Sequence, residues 1–178
     1  MFFTTNVKKC LNEKIRAFTL IELLIVISLI AFFSAFVVFN KGKSQASLNL
    51  ERASFQIAQS IRKAEELAIA AQFFNGSYPI GGYGVYFEEG SSFYSIFADV
   101  NQNGNYSEGE LVESIALENM ITISDLSPSS PSVVIFKAPD PTVVLPGSSS
   151  SISITISATN IDLEKTISVN SLGVIEIQ

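Results

Sequence analysis

Apolar residues run almost unbroken from Phe18 to Phe39, and then the pattern changes twice along the chain. Beyond Asn40-Lys41-Gly42-Lys43 they recur at Leu50, Ala53, Ile57, Ile61, Ala64, Leu67, Ala68 and Ala71. Steps of three and four mark one face of an amphipathic helix. The other side holds Glu51, Arg52, Arg62, Lys63, Glu65 and Glu66, a solvated face. The first run is long enough, as a helix, to cross a bilayer core of about 30 Å. The spacing therefore predicts one helix over 18–73, with 18–39 in lipid and 40–73 packed on a domain. Gly42 costs about 1 kcal/mol relative to alanine, so the rod should bend or loosen there.

From Tyr83 onward the period becomes two. Strands are predicted at Tyr83–Glu88, Phe93–Ala98, Leu111–Leu117, Ile121–Leu126, Val133–Lys137, Thr142–Leu145, Ser151–Ala158, Ile161–Val169 and Val174–Ile177. Ser151 to Ser157 alternates hydroxyl and apolar residues, as a sheet with one wet face should. Pro79, Gly81 and Gly82 break regular structure between helix and strands, and Ala138-Pro139-Asp140-Pro141 reads as a stiff turn. The prediction is an α+β fold, a long helix packed on antiparallel sheet over 74–178.

Charge is unevenly placed. Lys8, Lys9, Lys14 and Arg16 against Glu13 give residues 1–17 a net +3, so the total of −6 leaves −9 on the remainder. Basic residues before an apolar segment stay cytoplasmic, which places the C-terminal part outside the cytoplasm. So acidic an exported part argues against nucleic acid as a partner. The chain has no histidine, and Cys10 is its one cysteine. His-based catalysis, His-containing zinc sites and disulfides thereby drop out, and no nucleophile–base pair is evident. No enzyme is expected.

One carboxylate interrupts the apolar run: Arg16-Ala17-Phe18-Thr19-Leu20-Ile21-Glu22. At mid-membrane an unpaired Glu would cost roughly 2.5–3.5 kcal/mol on insertion scales. These residues resemble the processing motif of the type IV pilin and type II secretion pseudopilin superfamily. There a small residue precedes Phe or Met and then Thr-Leu-Ile-Glu, with the Glu fifth in the mature chain. Ala17 stands where that family almost always has glycine. The resemblance implies that a prepilin peptidase removes 1–17 as a leader and methylates the amine of Phe18. It also implies that Glu22 pairs with the Phe18 amine of a neighbouring subunit during assembly. The layout further resembles the H-type minor pseudopilins and their competence-pilus relatives. Those commonly end in a Gly-Arg dipeptide on the last strand, whereas this chain reads Gly173-Val174-Ile175-Glu176, so a DNA-capturing role is not carried over.

Asp99 to Glu110 fits the calcium-loop spacing D-x-[DN]-x-[DN]-G-x5-E. Asp99, Asn101, Asn103, Asn105 (by its carbonyl), Ser107 and Glu110 are the candidate ligands, and Gly104 permits the sharp turn. With two carboxylates only, binding would be weak and suited to extracellular calcium. Asn103-Gly104 is equally a two-residue hairpin signal, and both readings stand at this point. The sequence thus points to a structural subunit of a filament in the inner membrane. Its expected partners are other pilin or pseudopilin subunits, the prepilin peptidase, the inner-membrane assembly platform and the lipid bilayer. The alternative is a single-pass, membrane-anchored binding module that never polymerises.

Overall fold

The computed structural model describes residues 18–137, 142–159 and 162–178, without the side chains of 37–43 and 148. The leader with Ala17 and the Ala138–Pro141 turn lie outside the described residues. The chain divides into two compact units, Met1–Lys41 and Gly42–Gln178. One helix, α1 (Leu20–Ile69), is assigned without interruption through both.

In the first unit the helix is apolar all round. Every described side chain from Leu20 to Phe36 is exposed, with Phe32, Phe33 and Phe36 each more than 60% accessible. Among the described residues no helix is long and apolar enough to cross a membrane. The last side chains of the predicted span, at 37–39, are not among those described.

In the second unit the amphipathic face is buried as its spacing requires: Leu50, Ala53, Ile57, Ile61, Ala64 and Ala68 are all buried. The helix stops short of the predicted residue 73. Gln72 N–H reaches the Leu67 carbonyl at 3.1 Å and Ala71 N–H that of Ala68 at 3.0 Å. This is a Schellman closure, and Ala71 takes the left-handed place (φ 46°) that glycine usually fills. Ala71 is therefore exposed rather than part of the buried face. Without a glycine at that place the stop was invisible in the pattern. An L-residue in this conformation costs about 1–2 kcal/mol. Ala71→Gly should accordingly raise the melting temperature by about 2–4 °C, read by thermal denaturation.

All nine predicted strands are present: β1 (Tyr83–Phe87), β2 (Phe93–Ala98), β3 (Leu111–Ala116), β4 (Ile121–Ser127), β5 (Ser132–Lys137), β6 (Thr142–Val144), β7 (Ser151–Ala158), β8 (Glu164–Asn170) and β9 (Ile175–Ile177). They form two antiparallel sheets, in orders β3-β2-β1-β5-β6 and β4-β7-β8-β9. One main core takes the helix face, one face of the first sheet (Val85, Phe87, Ile96, Val134) and the Ile152, Ile154 and Ile156 row of β7. The hydroxyl row of β7 faces away, and Thr155 pairs with Thr166 across the wet side at 3.2 Å. The first sheet is apolar on both faces, because its back carries a second cluster of Phe97, Val133 and Ile135. Ser60 on α1 bonds Tyr94 on β2 at 2.8 Å, which ties helix to sheet inside the core. Burial pushes the Tyr94 phenol up to about 12; the Ser60 bond opposes that shift and the Glu113 charge adds to it.

Candidate functional site

Two places carry the predicted chemistry, the start of α1 and the loop between β2 and β3. Phe18 and Glu22 are both exposed at the first. Glu22 N–H bonds the Thr19 hydroxyl at 3.3 Å, while Thr19 N–H reaches back to Glu22 Oε2 at 3.4 Å. This reciprocal arrangement is a capping box, and Thr19-x-x-Glu22 is its sequence signature. The carboxylate also sits at the positive end of the helix dipole. Glu22 thus has a local structural use that the motif reading passed over. Its bonds are long and its surroundings open, so the carboxylate remains available to a cation brought in by another molecule.

The second place is a twelve-residue loop. The end of β2 and the start of β3 are held by Ala98 N–H to the Glu110 carbonyl at 2.9 Å. Asn103-Gly104 lies in the middle of this loop and does not form a two-residue hairpin turn. Gly104 has φ 73°, the left-handed conformation expected at the sixth position.

Asp99 and Glu110 are 1% and 4% exposed, and the loop closes around their carboxylates. Asp99 Oδ1 and Oδ2 accept the N–H groups of Asn103 (3.2 Å) and Gly104 (3.1 Å). Glu110 Oε1 accepts those of Val100 (3.0 Å) and Asn101 (3.1 Å), and Oε2 that of Ser107 (2.9 Å). The side-chain carbonyls of Asn101 and Asn103 accept the N–H two residues on. Their amide groups both donate to Ser107 Oγ, at 3.0 and 2.9 Å. Asn105 enters this network through its backbone N–H. The structure therefore brings Asp99, Asn101, Asn103, Ser107 and Glu110 together.

Does this donor set suit calcium? Hard oxygens in a loop with a glycine turn are the right type. Among the described residues no three carboxylate, imidazole or thiol groups converge, so a cation would rely on amide and hydroxyl oxygens beside the two acids. Most of these oxygens keep a free lone pair, but Glu110 Oε1 and Ser107 Oγ each already receive two donors. The donor set is thus of the chemical type that calcium takes, but a cation there would have to share most of its oxygens with N–H groups of the loop.

Two supporting residues are not among the motif's ligand positions. A Cβ on Gly81 would stand 2.3 Å from both Cγ and Oδ2 of Asp99, so only glycine lets that carboxylate lie against the neighbouring loop. Tyr106 sets its ring tilted against Tyr86 (centroids 5.3 Å apart) and edge-on to Phe97 (5.7 Å), which pins the loop over the back of the first sheet. An aromatic inside an otherwise polar loop was the available signal for the second. Nothing in the sequence marked the first.

Residues 13–38 match the family described as the prokaryotic N-terminal methylation motif. No curated protein and no solved structure matches the chain. The match covers the segment around Phe18 and Glu22 and does not extend to the loop or the sheets.

Proposed function

We propose that the chain is a minor pilin or pseudopilin subunit, cut between Ala17 and Phe18, methylated on the Phe18 amine, and assembled into a type IV pilus or type II secretion pseudopilus. One coincidence carries this reading. The methylation motif over 13–38 overlaps a helix whose described side chains from Leu20 to Phe36 are apolar save Glu22 and a few small polar residues, and exposed on every side. A helix of that kind needs an apolar environment. Lipid supplies it before assembly, and the helices of neighbouring subunits supply it in a filament. The membrane holds the subunit, the prepilin peptidase frees the Phe18 amine, and the assembly platform draws the helix out. Glu22 then offers its carboxylate to the amine of the next subunit.

Mass spectrometry of the chain from membranes that contain active prepilin peptidase should find a methylated Phe18 as the first residue. Ala17→Asp should leave the leader attached, since it crowds and charges the cut. An intact leader on the unaltered chain would overturn the proposal in favour of an anchored binding module that does not polymerise.

We further propose that the Asp99–Glu110 loop takes one calcium ion, on the strength of its oxygen-rich interior. With a Kd near 0.1 mM, at the weak extracellular end, about 2 mM calcium adds roughly 1.8 kcal/mol of stability. The melting temperature of the detergent-solubilised chain should rise by several degrees over that in excess chelator. Superimposable melting curves would leave the loop closed by its own amides alone.

A further inference from the structure

Two Asn-Gly pairs occur in the chain, Asn75-Gly76 and Asn103-Gly104. Such a pair is open to a reaction of its own, because glycine has no side chain to shield its backbone nitrogen from the asparagine amide beside it. The structure treats the two pairs differently. In the closed loop, Gly104 N–H donates to Asp99 Oδ2 at 3.1 Å. Asn103 Nδ2 donates to Ser107 Oγ at 2.9 Å, and Asn103 Oδ1 accepts the Asn105 N–H at 2.7 Å. Nucleophile and amide are thus each held by other partners.

Asn75-Gly76 forms the tip of a two-residue hairpin between α1 and β1. Positive φ at both residues, 50° and 86°, is the type I′ pattern. Phe74 and Ser77 close it with two backbone bonds of 2.8 and 3.1 Å, and their bridge belongs to neither sheet. Both tip residues are exposed, and nothing lies within 4 Å of where a Cβ on Gly76 would stand. Among the described residues, neither the Asn75 side chain nor the Gly76 N–H has a hydrogen-bond partner. A surface turn closed by two bonds opens at little cost. Opening lets the Gly76 nitrogen swing round to Asn75 Cγ.

We propose that Asn75 is a site of spontaneous deamidation and that the loop protects Asn103 from the same fate. The Gly76 nitrogen gives its proton to hydroxide and attacks Asn75 Cγ; the Cγ–Nδ2 bond breaks, and ammonia leaves with a proton from water. Water then opens the cyclic imide to aspartate or isoaspartate, so one water is consumed for each ammonia released. The position of the product gives it consequence. Asn75 lines a cleft of about 290 Å³ together with Asn101, Glu108 and Glu110 of the loop. Deamidation adds a carboxylate to that cleft, and isoaspartate lengthens the turn by one backbone atom, which breaks the fit of the Phe74–Ser77 bridge. The reaction needs neither processing nor assembly, so it stands apart from the filament reading.

The test holds the full chain in detergent at mildly alkaline pH, in water enriched in heavy oxygen, and maps its peptides by mass spectrometry over time. Asn75 should convert, with labelled oxygen in the product, at least about tenfold faster than Asn103. In denaturant the two should convert at similar rates. Asp99→Ala frees the Gly104 N–H and should bring Asn103 toward the rate of Asn75. The proposal is overturned if the folded chain keeps the Asn75 amide for as long as the unfolded chain takes to lose it, or if Asn103 converts equally fast in the folded chain. Asn103 that stays slow after Asp99→Ala would overturn its protection by the loop.

Discussion

Replacing Glu22 by alanine should abolish entry into filaments while insertion, cleavage at Ala17-Phe18 and accumulation in the membrane continue. The expectation rests on charge. A carboxylate within an apolar helix costs roughly 2.5–3.5 kcal/mol at mid-membrane without a partner, and a free amine on Phe18 of a neighbour would provide one. The capping box with Thr19 offers a competing explanation for the same residue. Losing a cap costs about 1 kcal/mol, enough to fray the first turn but too little to stop assembly. Glu22→Gln separates the two, because glutamine serves at the third helical position of a capping box yet carries no charge. If charge is what matters, glutamine fails as alanine does, measured as the fraction of subunit recovered in sheared filaments. Filaments that incorporate the glutamine variant normally would reduce Glu22 to a helix cap.

The strands and the buried helix face were legible because each rests on a local repeat. Strand β7 alternates Ile and hydroxyl residues, and every Ile of Ile152, Ile154 and Ile156 is fully buried. The end of α1 was not legible, since its stop signal is a backbone conformation at Ala71 and not a glycine. Nor was the division into two sheets. Strands β4 and β5 follow one another in sequence yet pair with β7 and β1, and no periodicity records a partner so distant.

The loop divides along the same line. Its spacing marked Asp99, Asn101, Asn103, Ser107 and Glu110, and the hydrogen bonds that join them all run within the twelve-residue loop. The Asn-Gly hairpin reading failed because the acids at both ends take five backbone N–H groups and hold the loop wide. These acceptors also give Asp99 and Glu110 a structural role independent of any metal, since leaving buried amides unpaired costs about 1–3 kcal/mol each. The contact with Gly81 crosses between two loops, and spacing cannot show that.

Gly81→Ala tests that contact and should be strongly destabilising. The new methyl would meet Asp99 Cγ and Oδ2 at 2.3 Å and the Asp99 backbone carbonyl at 2.5 Å. A rotamer change relieves the first two but not the third, so the backbone of one loop must move. The Gly81 N–H to Asp99 carbonyl bond (3.0 Å) would stretch with it. Overpacking of this kind costs about 1–3 kcal/mol, and a disturbed Asp99 would release its hold on Asn103 and Gly104 as well. A fall in melting temperature of roughly 10 °C is expected. Gly104→Ala is the matched comparison. Its φ of 73° penalises alanine by about 1–2 kcal/mol, but nothing lies within 4 Å of the added carbon. Gly81→Ala should therefore destabilise more than Gly104→Ala, because overpacking is joined by the loosened hold of Asp99 on Asn103 and Gly104. Equal losses would mean that the loops can separate freely, and that the buried carboxylate of Asp99 does not depend on glycine beside it.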